Sequence, residues 1–258
     1  MGVDWVRMRL LPGVTEAGLR GLVAAQAERY AAAGRLPADL AAFAAPAPDV
    51  PHDPAELERR VERDTGDSSV FRVNALVANP VFPAEWRRAA LRTHLPGELP
   101  GRLRVWRAHL ERVRAGAHRP YLRAWHAYVI IRRLADEWAP LRALALAARD
   151  RDNAWALRPD LVAARERIIA LPVPAPPPAP RWDAAGERGP LPVPFDVAPF
   201  AAAAREWNRR VPAGRKVHVT APVGFASFLA AALEDEWLRD CLEWLDGAVR
   251  DGRGVLLW

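Results

Sequence analysis

From Val3 to Leu10 the chain alternates, with Val6, Met8 and Leu10 on one side and Trp5, Arg7 and Arg9 on the other. A period of two predicts a half-buried strand. Pro12-Gly13 turns the chain, and Thr15 is placed to cap a helix running to about Ala33, with Val14 and Leu19 as its hydrophobic staple. Leu19, Leu22, Val23, Gln26 and Tyr30 share one face of it. Residues 34–54 are rich in Ala and Pro and read as irregular, with one helical turn around Ala38–Phe43. Pro54 opens a short charged helix ending near Arg63, followed by the turn formers of 64–69. Phe71, Val73, Ala75 and Val77 then alternate with Arg72 and Asn74, which predicts a second strand over Val70–Val77, stopped by Asn79-Pro80.

Helical spacing takes over afterwards. A helix is expected from about Ala84 to His94, a second over Arg102–Arg114 and a third from Arg119 onward. Leu103, Trp106, Leu110 and Val113 form the apolar stripe of the second. The third is apolar nearly all round through Tyr121, Leu122, Trp125, Tyr128, Val129, Ile130 and Ile131, which suits a buried helix, and Pro140 is placed to kink or break it. A further helix spans Asp160–Leu171 with Asp160 as its cap. Beyond the prolines come helices over Ala198–Arg210, Gly224–Leu233 and Asp235–Arg250, a short strand Lys216–Thr220, and a closing strand Val255–Trp258. The pattern predicts an α+β protein, mainly helical, with one small sheet of short strands.

Ten of the 25 prolines fall in 172–199, which excludes helix or central strand there and divides the chain into a body over 1–171, a stiff connector and a C-terminal segment over 200–258 packed on the first body. The connector could alternatively serve as a PxxP ligand for a partner groove.

Charge changes the picture most. Residues 86–133 hold twelve arginines against two glutamates, a net of +10, whereas the whole chain carries +6, so the remainder sums to −4. Trp86, Trp106, Tyr121, Trp125 and Tyr128 lie among these arginines. Guanidinium forks match phosphate and carboxylate oxygens. Arg87, Arg88, Arg92, Arg102, Arg104, Arg107, Arg114, Arg119 and Arg123 are therefore the candidate surface for nucleic acid or an acidic partner. The aromatics themselves fall on the apolar stripes, where packing is their ordinary role. Lys216 is the only lysine, a codon preference that makes arginine number less informative than its distribution. Eleven Trp is high for 258 residues and suggests core or interface burial.

Catalytic patterns are sparse. Asp64-Thr65-Gly66 has the letters of the aspartic-protease motif, but Glu62, Arg63 and Asp67 mark an exposed turn, and there is no second copy. His218-Val219-Thr220 resembles one half of the paired His-x-Thr signature of the two-histidine phosphoesterases, whose second histidine would have to come from elsewhere. His94, His109, His118 and His126 make no i, i+3 or i, i+4 pair, so no metal site or cofactor is expected. Cys241 is the single cysteine, which excludes an internal disulfide and fits a reducing compartment. No apolar run reaches the roughly 20 residues of a membrane helix, so a cytoplasmic protein with no membrane contact is expected. The functional expectation is a non-enzymatic binding or adaptor subunit with a protein partner, with phosphodiester or nucleotide chemistry at His218 and Thr220 as the alternative.

Overall fold

A computed structural model describes residues 5–32, 54–64, 72–83, 86–87, 90–149, 158–180 and 195–257. The elements run β1 (Trp5–Leu10), α1 (Glu16–Ala32), α2 (Pro54–Glu58), β2 (Val61–Arg63), α3 (Arg72–Ala78), α4 (Leu99–Arg114) and α5 (Arg119–Arg149). They continue with α6 (Pro159–Ala170), α7 (Ala198–Asn208), a 3-10 turn (Ala213–Arg215), α8 (Phe225–Leu233), α9 (Glu236–Arg250) and β3 (Gly254–Leu257). The fold is α+β, mainly helical, with one three-stranded antiparallel sheet in the order β2-β1-β3. Contacts gather into two units, Met1–Leu122 with Arg181–Arg188 and Leu229–Trp258, and Arg123–Pro180 with Gly189–Phe228.

In the first unit β1 is the central strand. Its alternation delivers Val6 and Met8 to a cluster with Leu19 and Val23 of α1, Leu57, Val61, Leu95 and Leu256. The opposite face, expected to be exposed, is covered at its start, while Arg9 at its far end is exposed. Trp5 is fully buried, stacked on Trp106 of α4 at 6.4 Å and donating its indole N–H to the Arg92 carbonyl at 3.0 Å. Position 254 must stay small, because a Cβ there would lie 2.5 Å from the His94 carbonyl oxygen. That close approach lets His94 and Val255 exchange both backbone hydrogen bonds, at 2.8 and 2.9 Å.

The sheet is built from different segments than the alternation suggests. Arg72–Ala78 is helix α3, not a strand. Ala75, Leu76 and Val77 are all buried there, so consecutive positions face the core and the apparent period of two carries no information about a face. Val61–Arg63, expected as the end of a helix, pairs instead with β1 through Met8↔Arg63 and Leu10↔Val61. Lys216–Thr220 is extended but has no strand partner among the described residues. The expected helix to His94 ends earlier: Trp86, Arg87 and Ala90 are helical and His94 bridges β3. The irregular stretch of 34–53, most of the 64–69 turn and the prolines of 181–194 lie outside the described residues.

In the second unit α5 continues through Pro140, which does not break it. Pro140 is exposed, so water can satisfy the carbonyl left without its intrahelical donor. Leu134, Trp138, Leu141 and Ala145 of α5 pack with Leu161 and Ile168 of α6 and Phe200 and Trp207 of α7. Trp138 meets Phe200 edge-on at 5.0 Å and donates to the Leu171 carbonyl at 3.2 Å, which ties down the chain leaving α6. At the start of α6 the N-cap is Arg158 with Pro159 following; Asp160, expected as the cap, stands in the first turn and favours the helix dipole there. Among the described residues, no helix is long and apolar enough to cross a membrane.

Candidate functional site

The arginine-rich stretch forms the end of one loop, α4 and the first half of α5, and the structure gives its arginines different employments. Arg87 is buried and donates to the Val77 carbonyl at 3.3 Å, a cation at the C-terminal turn of α3 and not a surface group. Arg92 pairs with Glu98 at 3.0 Å. Arg102 is half-buried; burial and the charge on Arg92 lower its pKa, with the Glu98 carboxylate opposing. On the outer face of α4, Arg107 is paired with Asp246 of α9 and Arg114 with Glu111. Arg104 and Arg119 are exposed, with no acidic partner among the described residues. In the second unit, Arg123 lies over the Phe225 ring at 5.1 Å. Arg88 is outside the described residues. The stretch is thus a mixed ion-paired surface with a few unneutralised cations, and the +10 read along the chain overstates its field.

Four of the five aromatics of the stretch are core. Trp106, Tyr121 and Trp125 are about 1% exposed and Tyr128 is 6% exposed, so none presents a face for base stacking. Trp86 is half-buried, its ring 4.8 Å from that of His109. His109 in turn bonds the Val81 carbonyl through Nε2 at 2.8 Å and stacks on His118 at 5.3 Å. Burial pushes His109 down to about 4, with His118 and Arg112 adding like charge against the opposing Val81 bond. His94 is pushed to about 3 by burial, then by Arg92 and Arg102, with only the Ala90 carbonyl opposing. Both rings are neutral packing elements at neutral pH.

The His218-Val219-Thr220 segment has a structural task. Thr220 donates both its amide (2.8 Å) and its hydroxyl (2.7 Å) to Glu137 of α5, whose carboxylate also accepts from Arg133 at 3.0 Å. Burial would raise the Glu137 carboxyl, but the Thr220 bonds and Arg133 hold it below its ordinary value. His126, one side of a small apolar recess with Val129, Pro222 and Phe228, bonds the Val223 carbonyl at 2.8 Å. Together these contacts strap residues 220–223 to α5. His218 itself is exposed and meets no other histidine ring among the described residues. Asp64, from the protease-like triplet, pairs with Arg253 at 2.6 Å. Cys241 is fully buried on the inner face of α9, and no three His, Cys, Asp or Glu among the described residues gather as metal ligands.

One exposed aromatic escapes the sequence pattern. Trp237, in the first turn of α9, is 58% exposed, whereas Trp5, Trp106, Trp125, Trp138 and Trp207 are at most 1% exposed. Its helical angle groups it with the buried Cys241 and Trp244, so periodicity places it in the core; only its position at the helix end leaves it outside. Elsewhere on α4 and α9, Arg107, Glu111, Arg114, Asp235, Arg239 and Glu243 rim a recess whose floor includes Leu110, Leu238 and Leu242; Trp237 does not line it. Compared with known proteins, the chain matches no family model, no curated protein and no solved structure.

Proposed function

We propose that this protein works by binding, as a subunit or adaptor that docks an acidic protein partner on the α4–α9 face of its first unit. The observation that carries the reading is Trp237, a large amphipathic side chain 58% exposed in the first turn of α9. Tryptophan and arginine side chains carry a disproportionate share of the binding energy at protein interfaces. Arg104 supplies unneutralised charge on α4, and Arg107 and Arg114, held in exposed pairs worth little in water, are available for exchange with a partner's carboxylates. Nucleic acid is the lesser reading, because Trp106, Tyr121, Trp125 and Tyr128, four of the five aromatics among the arginines, are in the core. The compartment we assign is the cytoplasm, on the single cysteine.

The test recovers tagged protein from its own cells and asks what travels with it in fixed proportion. Trp237→Ala should lose that partner, and Arg104→Ala should make its retention more salt-sensitive. An identical set of companions with Trp237→Ala would sink the reading. A parallel titration with labelled single- and double-stranded nucleic acid should show no steep salt dependence; a steep slope flattened by Arg104→Ala would transfer the face to nucleic acid.

A further inference from the structure

A broad recess lies in the second unit, far along the sequence from the arginine-rich stretch. It has a volume of about 690 Å³ and is lined by Arg167 of α6, by Arg205, Glu206 and Arg209 at the end of α7, and by Lys216. Four cations face one acid. That acid is already engaged: Glu206, 12% exposed, pairs with both Arg167 and Arg210, and Arg210 also donates to its backbone carbonyl at 2.8 Å. Arg205, Arg209 and Lys216 are exposed and have no acidic partner among the described residues.

The placement of these cations costs the fold something and is fixed by it. Arg205 and Arg209 are separated by one turn of α7, where like charges repel. Lys216 is held across from them by anchors on both sides. The buried Trp207 donates its indole N–H to the Arg215 carbonyl at 3.1 Å. Asn208 takes both backbone groups of Val217, accepting its N–H at 2.8 Å and donating to its carbonyl at 2.6 Å. The only lysine of the chain therefore stands on backbone clamped one residue to either side, facing two unneutralised guanidiniums. Such a set is repulsive when empty and becomes favourable when a compact polyanion lies between its members.

We propose that this recess binds an oligophosphate, the di- or triphosphate group of a small molecule, with Arg205 and Arg209 gripping its oxygens as forks and Lys216 as a point charge opposite. Only Ala202 and Val211 supply apolar lining, so recognition is of the phosphate chain and not of an attached ring. This site is independent of the docking face on α4 and α9.

The experiment is calorimetric titration of the full chain with pyrophosphate and with tripolyphosphate, with sulfate as a singly sited control. Saturable binding of one ligand per chain is expected, tighter for tripolyphosphate. Lys216→Met and Arg205→Ala should each weaken it about tenfold or more, the loss of one charge-assisted contact. Arg104→Ala, in the other unit, should leave it unchanged. Asn208→Ala removes no charge but frees the backbone beside Lys216, and should weaken binding as well; a near-ultraviolet dichroism spectrum confirms that each variant is folded. Absence of saturable binding, or equal weakening by Arg104→Ala and Lys216→Met, would overturn the site.

Discussion

Two buried histidines make the protein's stability depend on pH in a direction that can be worked out. His94 and His109 are held at about 3 and about 4 in the fold, below the roughly 6.5 of an unfolded histidine. As pH falls below that unfolded value, the unfolded chain takes up protons the native state refuses. Their contribution is therefore fully present above about pH 6.5 and is lost as the medium becomes acid. At pH 5 each should remove about 2 kcal/mol, before any change in the carboxylates. Urea unfolding at pH 7.5 and pH 5 measures this, and His94→Gln should flatten the slope between them. An unchanged slope in that variant would show His94 to be protonated in the fold. None of this was legible from the sequence, where His94 and His109 read as helical neighbours of arginine; their environment is made by Trp5, Trp86, Trp106 and Phe82, brought from other segments.

At the scale of elements, the long helices were legible and the short segments were not. α4, α7 and α9 each repeat their apolar positions over about three or more turns, enough for the 3.6 period to emerge, whereas α5 shows as a long apolar run without one polar face. α3 has seven residues and β2 three, too few for either period to show, and β2 exists only because the edge of β1 is there to pair with. The segment after Lys216 reads as a strand because it is extended; side chains from α5 and α7, and not a sheet, hold it. The candidate sites were less legible still. An arginine's place in the sequence does not say whether an acid will stand beside it, as Asp246 stands by Arg107 across 139 positions. Capping transfers only in part: Thr15 accepts the Gly18 N–H at 3.4 Å at the start of α1, whereas Asp160 stands inside α6 and is not its cap. Asp235 caps α9 by accepting the Trp237 N–H at 2.9 Å, whereas α4, α6 and α7 begin with proline and no side-chain cap. Asp235→Ala should cost about 1 kcal/mol, read as a lower denaturant midpoint, and Asp235→Asn should recover most of it. Equal loss in both variants would mean that the carboxylate serves something other than the cap.

For the whole molecule, the decisive pairing is between β1 and β3, Trp5↔Leu257 through Met8↔Gly254. Removing residues 254–258 leaves β1 with three paired residues on one side only, and a two-stranded ribbon is marginal in water. It also uncovers Val6, Met8 and Leu95, which pack against Leu256. The truncated chain should lose the near-ultraviolet dichroism of Trp5 and Trp106 while keeping helical far-ultraviolet signal from α5, α6 and α7. Retention of the full aromatic signal would mean that β1 is secured by α1 and α4 without its partner.

The same pairing sets an order of events during synthesis. Every residue of the second unit lies between positions 123 and 228, inside the sequence span of the first. Its helices can close on one another while the ribosome is still making α9. β1 must wait for some 250 further residues before β3 exists to pair with it. A domain generally folds only once its segments have been made, and a strand pairing over that distance closes a very large loop. Through most of translation β1 can pair with β2 alone and its β3-side edge is unguarded, and it is in that interval that the chain has most need of a chaperone.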